Sequence, residues 1–145
     1  MKSRTLTIFG VIILVVALIL VRVFERYIFD TTLIDYFHGA FELKPIPDGN
    51  FLSIYLSISL RFLINSTISV AILYLIYSRK FYLNASLWVY FISFIVLSIA
   101  FLILIQGEGE FVKRALFYVR RFLIHPLLLF ILAAGFYFMD RNTQR

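Results

Sequence analysis

Cysteine is absent from this 145-residue chain, which excludes disulfides, thiolate metal centres and any cysteine nucleophile. Histidine occurs only as His38 and His125, and no His, Asp and Glu set has the helical spacing that zinc requires. Neither a Gly-x-Ser-x-Gly elbow nor a phosphate-cradling glycine loop is present. Acidic residues number 8 against 14 Lys and Arg, and none of them falls inside a long apolar run. A compact four-span exporter usually carries such an embedded carboxylate for proton coupling. No cofactor is expected from this inventory.

What the chain has instead is hydrocarbon. Hydrophobic residues make up 62% of it and the mean hydropathy is +0.95. A water-soluble domain of this size has no core large enough to hide so much apolar surface. The expected fold is therefore an all-α integral membrane protein, one domain over residues 1–145, with four transmembrane helices at roughly 6–24, 52–77, 85–105 and 117–139. The net charge of +6 does not point to nucleic acid, because the basic residues sit at segment ends, where they set topology and meet lipid headgroups.

Taken in order, Met1-Lys-Ser-Arg4 is a basic leader to an apolar run from Leu6 to Val21. The run is long and lacks a small-x-small site after it, so an uncleaved first span is expected. The longest polar connection follows, about Arg22 to Asn50. Its stretch Leu33–Phe41 looks amphipathic and suggests a short helix resting in the interface, ended by the turn Pro45-Ile-Pro47-Asp-Gly-Asn50. Lys and Arg counts on the two sides nearly tie: Lys2, Arg4, Arg79, Lys80, Arg141 and Arg145 on the terminal side against Arg22, Arg26, Lys44, Lys113, Arg114, Arg120 and Arg121. The basic leader and the acid-rich loop favour cytoplasmic termini and an extracytoplasmic loop.

The second apolar run is the informative one. Ser57, Arg61, Asn65 and Ser69 recur every four residues and share one helix face. An arginine inside hydrocarbon costs about 3 kcal/mol on insertion scales, so Arg61 must snorkel to headgroups or find an anion in the bundle interior. Ser86, Tyr90 and Ser93 in the third run are spaced to pack on that ladder. In the fourth, a helix started one turn early places Arg114, Tyr118, Arg121 and His125 on one face, with a kink at Pro126. The end of span one and the starts of spans two and four lie at one membrane face. Arg61, Asn65, Arg120, Arg121 and His125 thus share a leaflet, with Arg22, Arg26, Asp30 and Asp35 as loop partners. Cations this close repel unless an anion lies between them. Loop carboxylates, a lipid phosphate or a substrate carboxylate all meet that need.

The polar signposts also resemble a known family. Phe24-Glu-Arg-Tyr-Ile-Phe-Asp30, Tyr36-Phe37, Leu60-Arg-Phe-Leu-Ile-Asn65 and Phe117-Tyr-Val-Arg-Arg-Phe-Leu-Ile-His-Pro-Leu-Leu129 resemble, in order and spacing, the exosortase F system-associated membrane proteins of Bacteroidetes. One departure is Asp30-Thr31, where the family typically has a proline after its loop aspartate. The resemblance implies a non-catalytic accessory of the bacterial inner membrane, working beside an exosortase-like sorting enzyme or its substrate. Arg61, Asn65, Arg120, Arg121 and Pro126 are the positions that match. Exosortases use a cysteine with arginine and histidine, so this chain is not one itself. The alternatives are a small lipid-modifying enzyme using His125 with Asp30 or Asp35, and a transporter subunit.

Overall fold

The computed structural model describes residues 4–143; Met1, Lys2, Ser3 and Arg145, used above for the leader and the topology count, lie outside the described residues. All regular structure among the described residues is helical: α1 (Arg4–Val23), α2 (Glu25–Ile28), α3 (Thr32–Phe37), α4 (Phe51–Tyr77), α5 (Lys80–Leu104), α6 (Glu110–Ile124) and α7 (Leu127–Thr143), with a 3₁₀ turn at Phe41–Leu43. Helices α1, α4 and α5 are long and apolar enough to cross a membrane, and α6 with α7 makes a fourth if that bent pair is one span.

Helix α4 is the hub, packing on α1, α5, α6 and α7. Its start is set by Asn50, whose side chain accepts from the Ser53 N–H at 3.5 Å. It ends at Ser78, whose left-handed backbone (φ 50°) lets its N–H cap the Tyr74 carbonyl at 2.8 Å. Helix α1 contributes no buried residue and lies along α4 as an apolar rod. Gly10 permits that approach, since a Cβ there would stand 3.1 Å from Leu75 Cδ1. The outward apolar surface of α1, α4 and α5, including Ile12, Leu56 and Trp88, suits lipid rather than water.

Two of the expected elements differ from what the structure shows. The kink expected at Pro126 is a full break, which divides the fourth segment into α6 and α7, diverging by 63°. Proline supplies no N–H at 126 and holds the preceding residue extended, and His125 has φ −104° and ψ 143°. His125 therefore lies outside the helix, and the four-residue face running Arg114 to His125 does not form.

The expected interfacial helix is shorter, Thr32–Phe37, and its apolar residues turn inward. Leu33 and Tyr36 join Ile54, Ile58, Phe62, Phe101, Leu116 and Leu123 in the main core. The Tyr36 hydroxyl donates toward the carbonyls of Phe41 (2.9 Å) and Lys44 (3.0 Å), which ties down the following loop. Burial raises the pKa of that hydroxyl above its ordinary value. A second cluster of Ile72, Leu73, Tyr82, Leu129 and Phe136 fills the opposite end.

Candidate functional site

The polar ladder on α4 points into the bundle at the loop end. Arg61, Asn65 and Ser69 are all buried, and Ser57 accepts the main-chain N–H of Asp30 at 2.9 Å. Arg61 stands ten residues into α4, about 15 Å along its axis, and there it meets residues at the end of α1. Helix α4 thus extends well past α1, and its first turns are walled by the α2–α3 segment.

Arg61 is 4% exposed. Its Nη1 donates to Glu25 Oε2 at 3.3 Å, and the same oxygen receives Arg22 Nη1 at 2.8 Å. The guanidinium lies over the Phe29 ring, 4.5 Å from its centroid. Its Nε has no hydrogen-bond partner. One carboxylate and one aromatic face therefore compensate a buried cation, with the buried Nε left unsatisfied.

The side-chain amide of Asn65 donates to the Ile124 carbonyl at 2.8 Å. This carbonyl belongs to the last turn of α6, whose acceptors lose their helical partners at the break. In lipid such a group needs a partner, so Asn65 caps the interrupted helix.

Arg120 is 8% exposed. Its guanidinium packs 5.4 Å from the centroid of the Phe37 ring, and no carboxylate pairs with it among the described residues. It lines a polar cavity of about 300 Å³, together with Arg22, Glu25, Arg121, His38 and His125. A second cavity of about 320 Å³ shares Arg22, Glu25, Ile124 and His125 with the first and adds Arg61, Asn65 and apolar residues of α1 and α7, among them Val15, Leu18 and Phe130. Arg22, Arg61, Arg120, Arg121, Asn65 and His125 thus surround two adjoining hollows.

The remaining loop residues are engaged elsewhere. Asp30 accepts from the Thr32 N–H (2.8 Å) and the Ser53 hydroxyl (2.9 Å), forming a turn where the resembled family carries proline. Hydrogen bonding from Thr32 and then from Ser53 outweighs burial and holds its carboxyl below the ordinary value. Arg26 and Asp35 form an exposed pair at 3.9 Å. Arg114 pairs with Glu42 at 2.8 Å and Lys113 donates to the Glu42 carbonyl at 3.1 Å; both lie outside the two cavities.

Glu25 is not among the loop partners that the sequence singles out, yet the structure makes it the counter-ion shared by Arg22 and Arg61. Its i+3 spacing from Arg22 was the available signal. Phe29 and Phe37, which cover Arg61 and Arg120, left no signal beyond their aromatic character. No three His, Asp or Glu side chains come together as a metal site among the described residues.

Proposed function

We propose that this chain is a non-catalytic accessory of an exosortase-like protein-sorting system in the bacterial inner membrane. Comparison with protein-family models, with curated proteins and with solved structures finds no match, so the proposal rests on the site and on the resemblance. In this reading α6 and α7 form one bent fourth span, both termini are cytoplasmic, and the α1–α4 loop is extracytoplasmic. The basic cluster then faces the outer leaflet and receives an anionic partner.

The observation that carries the anion-binding part is Arg120, a buried guanidinium beside an open cavity with no carboxylate of its own. A cation in that position is stabilised by an anion. The sorting system enters through the family resemblance alone.

Two observations weigh against the lipid-modifying alternative. Asp30 is held by Thr32 and Ser53, and Asp35 faces Arg26. Neither is bonded to His125, which leaves the imidazole without the orienting carboxylate a general base uses. For the transporter alternative, the acids of the spans, Glu110 and Asp140, lie in the first and last turns of the bent pair, and the apolar stretches between carry no carboxylate to couple to protons.

The test is co-expression with the sorting enzyme of the same genome and a protein bearing its C-terminal signal. Cleavage of the signal should depend on this chain and fall with Arg120→Gln. Equal cleavage with the chain deleted refutes the accessory role.

A further inference from the structure

The two cavities differ in chemistry in a way that defines their occupant. The one beneath α3 is lined by Arg22, Arg120, Arg121 and His125 against the single acid Glu25. The one between α1 and α7 is walled by Val15, Leu18, Ile19, Val23 and Phe130. They meet at Arg22, Glu25, Ile124 and His125, so a positively charged chamber continues into a greasy one. Each falls at the lower end of the volume range of ligand sites.

We infer that the joined cavities hold one anionic phospholipid, its phosphate at Arg120 and Arg121 and an acyl chain in the groove between α1 and α7. The inference deepens the anion-binding reading above and rests on it. Charge is the first support. Four arginines line the two cavities and one glutamate opposes them, and that glutamate is already shared by Arg22 and Arg61.

Arg120 is the second support. It is more than nine-tenths buried, lines the charged cavity, packs against the Phe37 ring and forms no ion pair among the described residues. Its planar fork suits the paired oxygens of a phosphate. Shape is the third: a soluble anion needs no apolar chamber, whereas a lipid chain fills one walled by Val15, Leu18, Ile19 and Phe130 of α1 and α7. Asn65 lines only the apolar-walled cavity, where its amide donates to the Ile124 carbonyl and closes the α6 terminus.

The test reconstitutes the full chain in phosphatidylcholine vesicles with spin-labelled phosphatidylglycerol or phosphatidylcholine as the probe, and measures the motionally restricted fraction of each. Phosphatidylglycerol should be preferred by about fivefold, the scale of one basic group at a bilayer surface. Arg120→Gln should bring the preference close to one. Arg79→Gln, which removes the same charge at the opposite end, should leave it intact, and Arg120→Lys should retain part of it. Leu18→Trp, which fills the apolar chamber, should weaken retention of the lipid.

Equal association of the two lipids, or an unchanged preference in Arg120→Gln, overturns the inference. So does displacement of the labelled lipid by millimolar inorganic phosphate, which would identify a free-anion site. The sorting assay separates the two proposals. Loss of cleavage in Arg120→Gln with lipid preference unchanged removes the lipid and leaves the accessory role. Lost preference with normal cleavage keeps the lipid and shows that the accessory role does not depend on it.

Discussion

The amide of Asn65 and the carbonyl of Ile124, 59 residues apart in sequence, meet at 2.8 Å inside the bundle. One side chain of the hub helix thereby stabilises an interruption in another helix. Asn65→Leu keeps the volume and removes the donor. It should lower stability in micelles by about 0.5–2 kcal/mol, the range measured for interhelical hydrogen bonds in membranes. Reversible unfolding in a mixed-detergent titration reads this directly, and an unchanged midpoint means the carbonyl is satisfied without Asn65.

Glu25 and Arg61 should be unequal partners under mutation. Glu25→Gln leaves two guanidinium groups without their shared carboxylate and should destabilise by about 1.5–3 kcal/mol, the scale of a charged hydrogen bond. Arg61→Lys keeps the charge but loses the planar contact on Phe29, so membrane abundance should fall. Wild-type abundance for the lysine variant would mean that a simple snorkelling cation suffices.

Acid should release the loop from α4. The Asp30 carboxyl has its folded pKa below the ordinary 3.8, so its contribution is fully present above that value. It is lost as pH falls through the lower folded value. Proteolysis of the segment 31–50 in detergent should therefore accelerate below about pH 4. Asp30→Asn should be susceptible already at pH 7 and lose the acid step. A step that survives in Asp30→Asn belongs to another carboxylate.

Topology is testable without background because native cysteine is absent. Single cysteines at Ser3 and Asp48 should divide cleanly in intact cells. An impermeant thiol reagent should label only Asp48→Cys if the loop is extracytoplasmic. Labelling at Ser3→Cys alone inverts the orientation and moves the basic cavities to the inner leaflet.

The helical, lipid-facing character of the chain was legible because it follows from composition and run length. The inward face of α4 was legible too: four-residue spacing foretells that Arg61, Asn65 and Ser69 lie together, and all three are buried. Ser86 and Tyr90 are buried as the spacing predicts, while Ser93 is only partly covered and the buried serine lower on α5 is Ser98. Pairings across the bundle were not legible. Nothing local says that Asn65 reaches Ile124, or that Glu25 rather than Asp30 or Asp35 neutralises Arg61, because those choices depend on how far α4 extends past α1. The interfacial helix was misplaced for a related reason. An apolar stripe states that a surface must be covered, and here the covering is the bundle core rather than lipid.

The break at His125-Pro126 separates two halves with different attachments. On the loop side, α6 is held by Lys113 and Arg114 to Glu42. On the other side, α7 is held to α4 by the Tyr77 hydroxyl, which donates to the Ala133 carbonyl at 2.7 Å, and to the α4–α5 junction by Arg79–Asp140 at 3.4 Å. A continuous helix would tie both sets of contacts to one rod. The interruption leaves each half with its own anchorage, α6 to the loop and to Asn65, and α7 to the far end of α4.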